Sequence, residues 1–540
     1  MLVAGLWYGT YVAGGPDSYC YLNQAELFVN GRVRDPQPII ADATWPERIY
    51  SVVPVGHVPA PGGDLAVVPM CPPGYPAMLA LARIVGGRPA MFWIVPILGA
   101  IAVWCTFLIG RRIASPAAGA IAAALLAASP AFLFQIVQPM SDVPAAAAWA
   151  VALVVALRPP AFKQALLCGA ATGAALFIRP NLAPLGLITA GMVVFAASAA
   201  SNPGRATGDP ETSARRAARV AGRRLIAFGL GGLPFFVALL ALQNATYGSP
   251  FTSGYGALQL LFSVDHVGPN LARYPVWSIE TQTPAVLLAL VAPWALRPFG
   301  TTRRAWWLLT FVMVTFACYL PYVVYDAWWF LRFLLPAWPP MLALTSAVLY
   351  GWLLRAPLSQ QIASNEPGGQ TRLTPAGSDP SSLRRLALMS VVLALVIFQL
   401  FTAERRAVFQ LHELERRYRD GGEYVARKLP SNAVVFTTQQ SGSVRFYSGR
   451  PTIVWDSLDP AWLDRSLDYF KAKGYRPFFL FEQDEESAFR QRFGPHSRVG
   501  ALEWPPFAQI DRDVRIFDLA DDERYRQGEK IETDFVYTKR

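Results

Sequence analysis

Charge is scarce in this chain. Asp, Glu, Lys and Arg supply 16% of the 540 residues, below the quarter or so usual in soluble globules, while 53% are hydrophobic. The charges crowd into short connections and the last quarter of the chain, which excludes an evenly hydrated globule. Glycine-rich phosphate loops of the GxGxxG or GxxxxGKS/T kind are missing from the soluble-looking C-terminal part, so a nucleotide site there is unsupported. HExxH spacing is missing as well, and a dedicated zinc site at His57 or His266 is not expected. Cysteine is rare: Cys105, Cys168 and Cys318 fall in apolar segments, and Cys20 and Cys71 share one loop. Two free thiols are the expected state of that pair, with a disulfide as the alternative in an oxidising compartment. The opening apolar stretch has neither the basic start nor the small-residue cleavage site of a signal peptide, and the true start is expected upstream.

Long apolar segments fill the space that charge leaves. A membrane core about 30 Å thick needs roughly 20 helical residues, and about eleven candidate spans recur: 2–14, 91–109, 117–137, 143–157, 164–178, 181–200, 225–243, 284–297, 305–325, 331–354 and 386–402. The first is too short to cross comfortably, and Arg179-Pro180 divides the fifth from the sixth. Alternate connections carry the basic residues: Arg111 and Arg112; Arg158 and Lys163; Arg205 to Arg224; Arg297, Arg303 and Arg304; Arg355, Arg372, Arg384 and Arg385. Basic connections stay in the cytoplasm. The N-terminus is therefore expected inside, and Asp17, Asp142, Arg179, loop 244–283, turn 326–332 and everything after Thr402 outside. The net charge of +11 follows from this topology and from attraction to anionic headgroups, with no nucleic-acid partner.

The fold class read here is a polytopic α-helical membrane protein with a C-terminal soluble α/β domain. Residues 1–402 form the membrane region, with a first exterior loop at 15–90 and cytoplasmic linkers at 201–224 and 356–383; residues 403–540 form the exterior domain. There HELERRYRDGGEYVARKL, PAWLDRSLDYFKAKG and EESAFRQRFG read as helices, and NAVVFTT, RPTIVWD, PFFLFEQD and VRIFDL as strands. Such alternation favours a small, partly parallel sheet.

Chemistry concentrates at the exterior surface. Asp17, in GGPDSYCYLNQAE, follows the first apolar stretch, and Asp142, in QPMSDVPA, sits at another outer turn. Carboxylates at a membrane boundary are costly unless wet, paired or functional. Each has a plainer reading as a helix N-cap. The helix after Asp17 shows one apolar and one polar side and is expected along the membrane surface. Tyr75, in the stiff turn PPGYP, reads as a wall of a substrate groove or as a loop-to-helix junction. Arg332, in WWFLRFLLP, and Arg179 are outward arginines in apolar sequence, placed to bind a lipid phosphate or to snorkel to headgroups. Tyr255, in the Gly-, Ser- and Tyr-rich loop YGSPFTSGYG, borders the same side.

GGPDSYCYL after the first apolar segment, PPGYP before the next, SDVP at an outer turn and LRFLLPAWPP late in the membrane region resemble the GT-C superfamily of polytopic glycosyltransferases. The likeness is to its bacterial branch related to protein O-mannosyltransferases and to the aminoarabinose transferase of lipid A, and it covers about three quarters of the chain. The resemblance implies that Asp17 and Asp142 are the two catalytic acidic positions. It implies transfer of a hexosyl or pentosyl group, by an inverting mechanism, from a polyprenyl-phosphate donor to a lipid, glycan or protein acceptor at the outer face of the plasma (inner) membrane. Arg332, Arg179, Tyr75 and Tyr255 are then the expected substrate-binding residues. If Mg²⁺ or Mn²⁺ takes part, Asp17 and Asp142 are its expected oxygen ligands. The alternative from another class is a transporter or lipid flippase of the cell envelope. Such folds favour internal repeats and midplane charges, and this chain has no visible repeat.

The charge asymmetry yields a test of orientation. Cysteine introduced at Ser431 is expected to react with an impermeant reagent from outside, and cysteine at Ser213 only from inside; reversed labelling overturns the topology.

Overall fold

The computed structural model describes residues 1–195, 210–354 and 380–537. Arg205, Arg355, Arg372, residues 201–209 of the first expected linker and most of the second lie outside the described residues, whereas 210–224 of the first is not a loose linker but the opening of a long helix. The membrane region begins with α1 (Leu2–Trp7), α2 (Gly15–Val29), α3 (Gly74–Met91), α4 (Ile94–Ile113), α5 (Pro116–Ala128), α6 (Pro130–Ile136), α7 (Asp142–Ala156), α8 (Phe162–Ile178) and α9 (Ala183–Phe195). It continues with α10 (Pro210–Tyr247), α11 (Val267–Gln282), α12 (Leu288–Ala295), α13 (Thr302–Tyr319), α14 (Trp338–Leu354) and α15 (Pro380–Arg405). Local signals set several ends. Ser115 accepts the Ala118 amide ahead of Pro116 and opens α5. Arg111 and Arg112 fall in the last turn of α4, where cations suit the negative helix end.

Ten of the eleven expected spans fall on helices. The first does not: only Leu2–Trp7 is helical, about 9 Å of rise, far short of a crossing. Among the described residues four helical stretches are long and apolar enough to cross a membrane: Ile94–Ile113, Ala214–Tyr247, Trp328–Leu353 and Ser382–Arg405. A fifth arises if α5 and α6, bent by 62° between Ala128 and Pro130, count as one broken span, and four more apolar helices are shorter. Hydrophobic windows thus located the helices, and among the described residues four or five of them qualify as full spans by length and composition. The outer helices turn apolar side chains outward, as Leu230, Leu233 and Phe236 do on α10 and Leu393, Ile397 and Phe401 on α15. In lipid that is the favourable arrangement.

Without a hydrophobic force between helices in lipid, close approach depends on small residues. At the α8–α10 crossing, Gly169 and Gly173 of one helix meet Gly231 and Gly232 of the other. A Cβ at Gly169 would overlap the Phe228 carbonyl, one at Gly231 would overlap the Leu166 carbonyl, and one at Gly173 would stand 2.9 Å from the Gly232 Cα. A shallow apolar groove of about 230 Å³ opens beside this crossing.

Outside the membrane helices, the first loop folds a small antiparallel sheet from β1 (Asp35–Pro36), β2 (His57–Pro59) and β3 (Ala66–Pro69), in the order β1-β3-β2. The C-terminal part contains α16 (Leu411–Lys428), α17 (Ser441–Ser448), α18 (Leu463–Ala472), α19 (Gln483–Phe493) and α20 (Ala520–Arg526). Its sheet comprises β4 (Ala433–Phe436), β5 (Thr452–Ile453), β6 (Arg476–Glu482), β7 (Ala508–Ile510), β8 (Val514–Asp518) and β9 (Asp534–Val536), in the order β5-β4-β6-β8-β7-β9. Strands β4, β5 and β6 run parallel, and β8 lies antiparallel to β6. Both faces of β6 are covered, Phe479 and Phe481 by one cluster and Phe478 and Leu480 by another, which explains its unbroken apolar run. The mixed α/β sheet matches the expectation from sequence. β7, β9 and the short helices α17 and α20 are absent from the sequence reading.

Two expectations for the first loop are corrected. Helix α2 does not leave a free apolar side to rest on a membrane surface: Tyr19, Cys20, Tyr21, Leu22, Gln24 and Ala25 are all buried within the protein. Cys20 and Cys71 are joined in a disulfide, because the fold brings α2 and the end of β3 together across 51 residues. Beyond the disulfide, Ile40, Ala43, Trp45 and Val52 of the loop share one hydrophobic cluster with Phe436, Trp455, Phe470 and Phe479. The α/β part is therefore built from two distant stretches of chain.

The α8–α10 crossing predicts a paired result. Gly169→Ala should lower thermal stability in detergent, because its Cβ meets rigid backbone. Gly222→Ala on α10, where nothing lies within 4 Å, should be neutral or raise it by up to ~1 kcal/mol through helix propensity. Equal melting temperatures for the two variants would reject close packing as the basis of this crossing.

Candidate active site

Asp17 lies in the first turn of α2, and its side chain makes no cap hydrogen bond; the N-cap residue is Gly14. Instead Asp17 Oδ2 accepts from an Arg332 terminal nitrogen at 2.8 Å, with the aspartate side chain 43% exposed and the arginine 16%. Asp142 opens α7 and makes no cap bond either. Its Oδ1 accepts from an Arg179 terminal nitrogen at 2.6 Å, and this pair is almost wholly buried. Capping therefore explains neither carboxylate. Each is closed by one of the two outward arginines picked out in the sequence.

The two ion pairs are linked by neutral groups. Arg179 Nε donates to Ser141 Oγ at 3.3 Å, and Ser141 Oγ shares a 2.8 Å hydrogen bond with the Tyr21 hydroxyl, one helical turn beyond Asp17. Another Arg179 nitrogen reaches the Tyr319 hydroxyl at 3.5 Å, which also accepts from Asn181 at 3.0 Å. Arg179 thus commits its fork to Ser141, Asp142 and Tyr319. Arg332 differs: its Nε is buried and without a partner. Asp142 Oδ2 is likewise buried and unpartnered.

Aromatic rings enclose the cations. Residues Trp328–Ala337 form a ten-residue 3₁₀ helix, unusually long for that form, in which side chains three apart lie in one row. Phe330 and Phe333 form such a row beside Arg332, with ring centroids 5.3 and 5.1 Å from its guanidinium carbon. Tyr325 stacks on Phe330 at 3.8 Å and Tyr319 on Phe333 at 5.2 Å. Tyr75 is wholly buried and sits edge-on to Tyr21 at 5.1 Å, so it backs the site instead of lining an open groove. Tyr255, from the loop after α10, has Tyr21, Asp17 and Tyr322 as electrostatic neighbours, and burial pushes its phenol well above the usual range.

Asp17, Asp142, Arg179, Arg332, Tyr75 and Tyr255 therefore gather in one region. Sequence reasoning missed Tyr21, Ser141, Asn181 and Tyr319. Two carried a signal: Tyr21 is one turn from Asp17, where side chains share a helix face, and Ser141 adjoins Asp142. Histidine takes no part. His57 accepts from Asn23 at 2.8 Å, and burial pushes its imidazole down to about 3. For a divalent cation the fit is poor, because both carboxylates already hold guanidinium groups and no cluster of three His, Cys, Asp or Glu side chains forms among the described residues.

The arrangement predicts how stability responds to the buried pair. Arg179→Leu should cost about 3–5 kcal/mol by leaving Asp142 buried and uncompensated, and the double variant Arg179→Leu/Asp142→Leu should recover part of that loss. Detergent melting curves decide it; a double variant less stable than Arg179→Leu alone would contradict the pairing.

Comparison with known proteins bears on this site. Residues 71–203 match the dolichyl-phosphate-mannose-protein mannosyltransferase family. No curated protein sequence matches the chain. Among solved structures, ArnT from Cupriavidus metallidurans in the apo state superposes with a TM-score of 0.56 at 14% identity, covering 95% of each chain. ArnT bound to undecaprenyl phosphate gives 0.54 at 14% identity, over 95% of this chain and 96% of that one. The oligosaccharyltransferase of Archaeoglobus fulgidus tethered to an acceptor peptide gives 0.51 at 12% identity, over 93% of this chain and 71% of that one. The resemblance read from GGPDSYCYL, PPGYP, SDVP and LRFLLPAWPP thus holds: the chain shares the fold of ArnT and of the archaeal oligosaccharyltransferase, and residues 71–203 match the mannosyltransferase family.

Proposed function

We propose that this protein transfers a hexosyl or pentosyl group from a polyprenyl-phosphate donor to a hydroxyl of a lipid, glycan or protein acceptor at the outer face of the plasma membrane, with Asp17 as general base. The observation that carries this reading is the Asp17–Arg332 pair, in which a half-exposed carboxylate is held beside a guanidinium that still has an unpartnered N–H. Two fold relatives have a lipid phosphate in their structures: undecaprenyl phosphate in ArnT and dolichol phosphate in the archaeal oligosaccharyltransferase. The Cys20–Cys71 disulfide favours an oxidising exterior for the loop that carries Asp17.

In this reading the acceptor oxygen attacks the anomeric carbon while Asp17 takes its proton. The bond from that carbon to the phosphate oxygen breaks, and its electron pair leaves with the polyprenyl phosphate. Arg332 meets the charge that develops there, with the planar donor geometry that suits phosphate. A single displacement inverts the anomeric centre. Arg179, with its donors engaged, holds Asp142 and the outer ends of α7 and α8 in place. Asp142 Oδ2 remains free to accept a hydroxyl. No step is routed through a divalent cation.

Donor affinity and turnover, measured separately on purified membranes with a labelled polyprenyl-phosphate sugar, test the two roles. Asp17→Asn should retain donor binding while turnover falls ~10²-fold or more; near-normal transfer would remove Asp17 as base. Arg332→Ala should weaken donor binding far more than Arg332→Lys, and unchanged affinity in Arg332→Ala would remove the phosphate role. Label crossing the bilayer without transfer would point to a flippase.

A further inference from the structure

Helix α2 starts through a Gly–Gly pivot. Gly14 is its N-cap residue in extended conformation, and Gly15 has φ +60°, in the left-handed region; no side chain caps this helix start. Two glycines in succession impose little direction on the helix after them. Asp17 lies only two residues on, and a base misplaced by about 1 Å can lose ~10²-fold in rate. Something outside α2 must therefore fix its first turn.

Arg332 holds Asp17 itself and Ser18 reaches Met140, but the groups against the pivot come from the far end of the sequence. The Tyr447 hydroxyl of α17 accepts the Ala13 amide at 3.0 Å. The Glu415 carboxylate and the Tyr418 ring of α16 lie against Gly14, so close that a Cβ there would overlap Glu415 Oε2 and stand 3.0 Å from Tyr418 Cδ2. Gly442 of α17 abuts the Tyr19 ring, where a Cβ would again overlap. Other ties between loop and C-terminal part lie farther along the loop, such as the Tyr469 hydroxyl donating to the Ile39 carbonyl at 3.0 Å.

We propose that Tyr447, together with Glu415 and Tyr418, is a positioning residue for Asp17: the C-terminal α/β part orients the catalytic helix by clamping Ala13 and Gly14. This rests on the reading of Asp17 as base. A tie from another part of the chain holds the residue just before the N-cap of α2, which has no side-chain cap of its own, and it also makes turnover depend on correct docking of the C-terminal part. The glycine at position 14 is then required for lack of room, since its φ of −97° suits any residue.

The test uses the full chain in membranes, with kcat and donor KM measured and amide hydrogen exchange followed across Ala13. Tyr447→Phe should lower kcat ~10-fold or more, leave donor KM within about twofold, and speed exchange at Ala13. Tyr469→Phe, which removes a comparable tie away from the pivot, should leave kcat unchanged. Gly14→Ala should lower kcat in the same way, because a Cβ there displaces Glu415 and Tyr418. Unchanged kcat in Tyr447→Phe, an equal loss in Tyr469→Phe, or unchanged kcat in Gly14→Ala would each overturn the proposal. A wild-type chain that transfers no sugar would sink the reading of Asp17 instead. The clamp would then be judged on Ala13 exchange alone, faster in Tyr447→Phe if the tie holds and unchanged if it does not.

Discussion

A guanidinium with almost no access to water needs a counter-charge and partners for its remaining N–H groups, and Arg179 meets that demand at the junction of four elements. It caps the C-terminus of α8 and reaches Asp142 at the start of α7, Ser141 beside it and Tyr319 at the end of α13. Through Ser141 the network extends to Tyr21 on α2. Removing one member would strand the others, because buried polar networks are costly when half-satisfied. The ends of α7, α8 and α13 at this site are thus registered to the helix that carries Asp17.

The second pair, Asp17 with Arg332, is built differently. Its carboxylate is half-exposed and its guanidinium lies between aromatic rings with one N–H unpartnered. Two carboxylate–arginine pairs of the same composition therefore have different capacities. The buried one is saturated on the arginine side and suits a fixed tie. The exposed one can exchange partners, as an ion pair must if an incoming phosphate is to share the cation.

The C-terminal α/β part and the first loop extend the same logic. Loop residues Ile40, Trp45 and Val52 complete the core of a sheet whose strands begin at Ala433, and Arg445 of α17 donates to Gln37 and to the Val52 carbonyl. A loop of this length with no core of its own would be mobile. Packed against the C-terminal sheet and closed by the Cys20–Cys71 disulfide, it becomes a rigid support for α2.

Hydrophobic runs, proline and serine punctuation and the spacing of basic residues determined the helical membrane architecture, the C-terminal alternation of helices and strands, and the candidacy of Asp17, Asp142, Arg179 and Arg332. These are local properties, carried by residues close together in sequence. The pairing of those four charges, the joining of Cys20 to Cys71, the burial of α2 and the sharing of one core by residues 40–52 and the C-terminal sheet were decided by tertiary structure alone. Asp17 and Arg332 are 315 positions apart, and no periodicity reports which of several outward arginines will close on which carboxylate. That choice belongs to the packing of whole helices, where glycine contacts, a bend of 62° between α5 and α6 and a long 3₁₀ turn set which side chains meet.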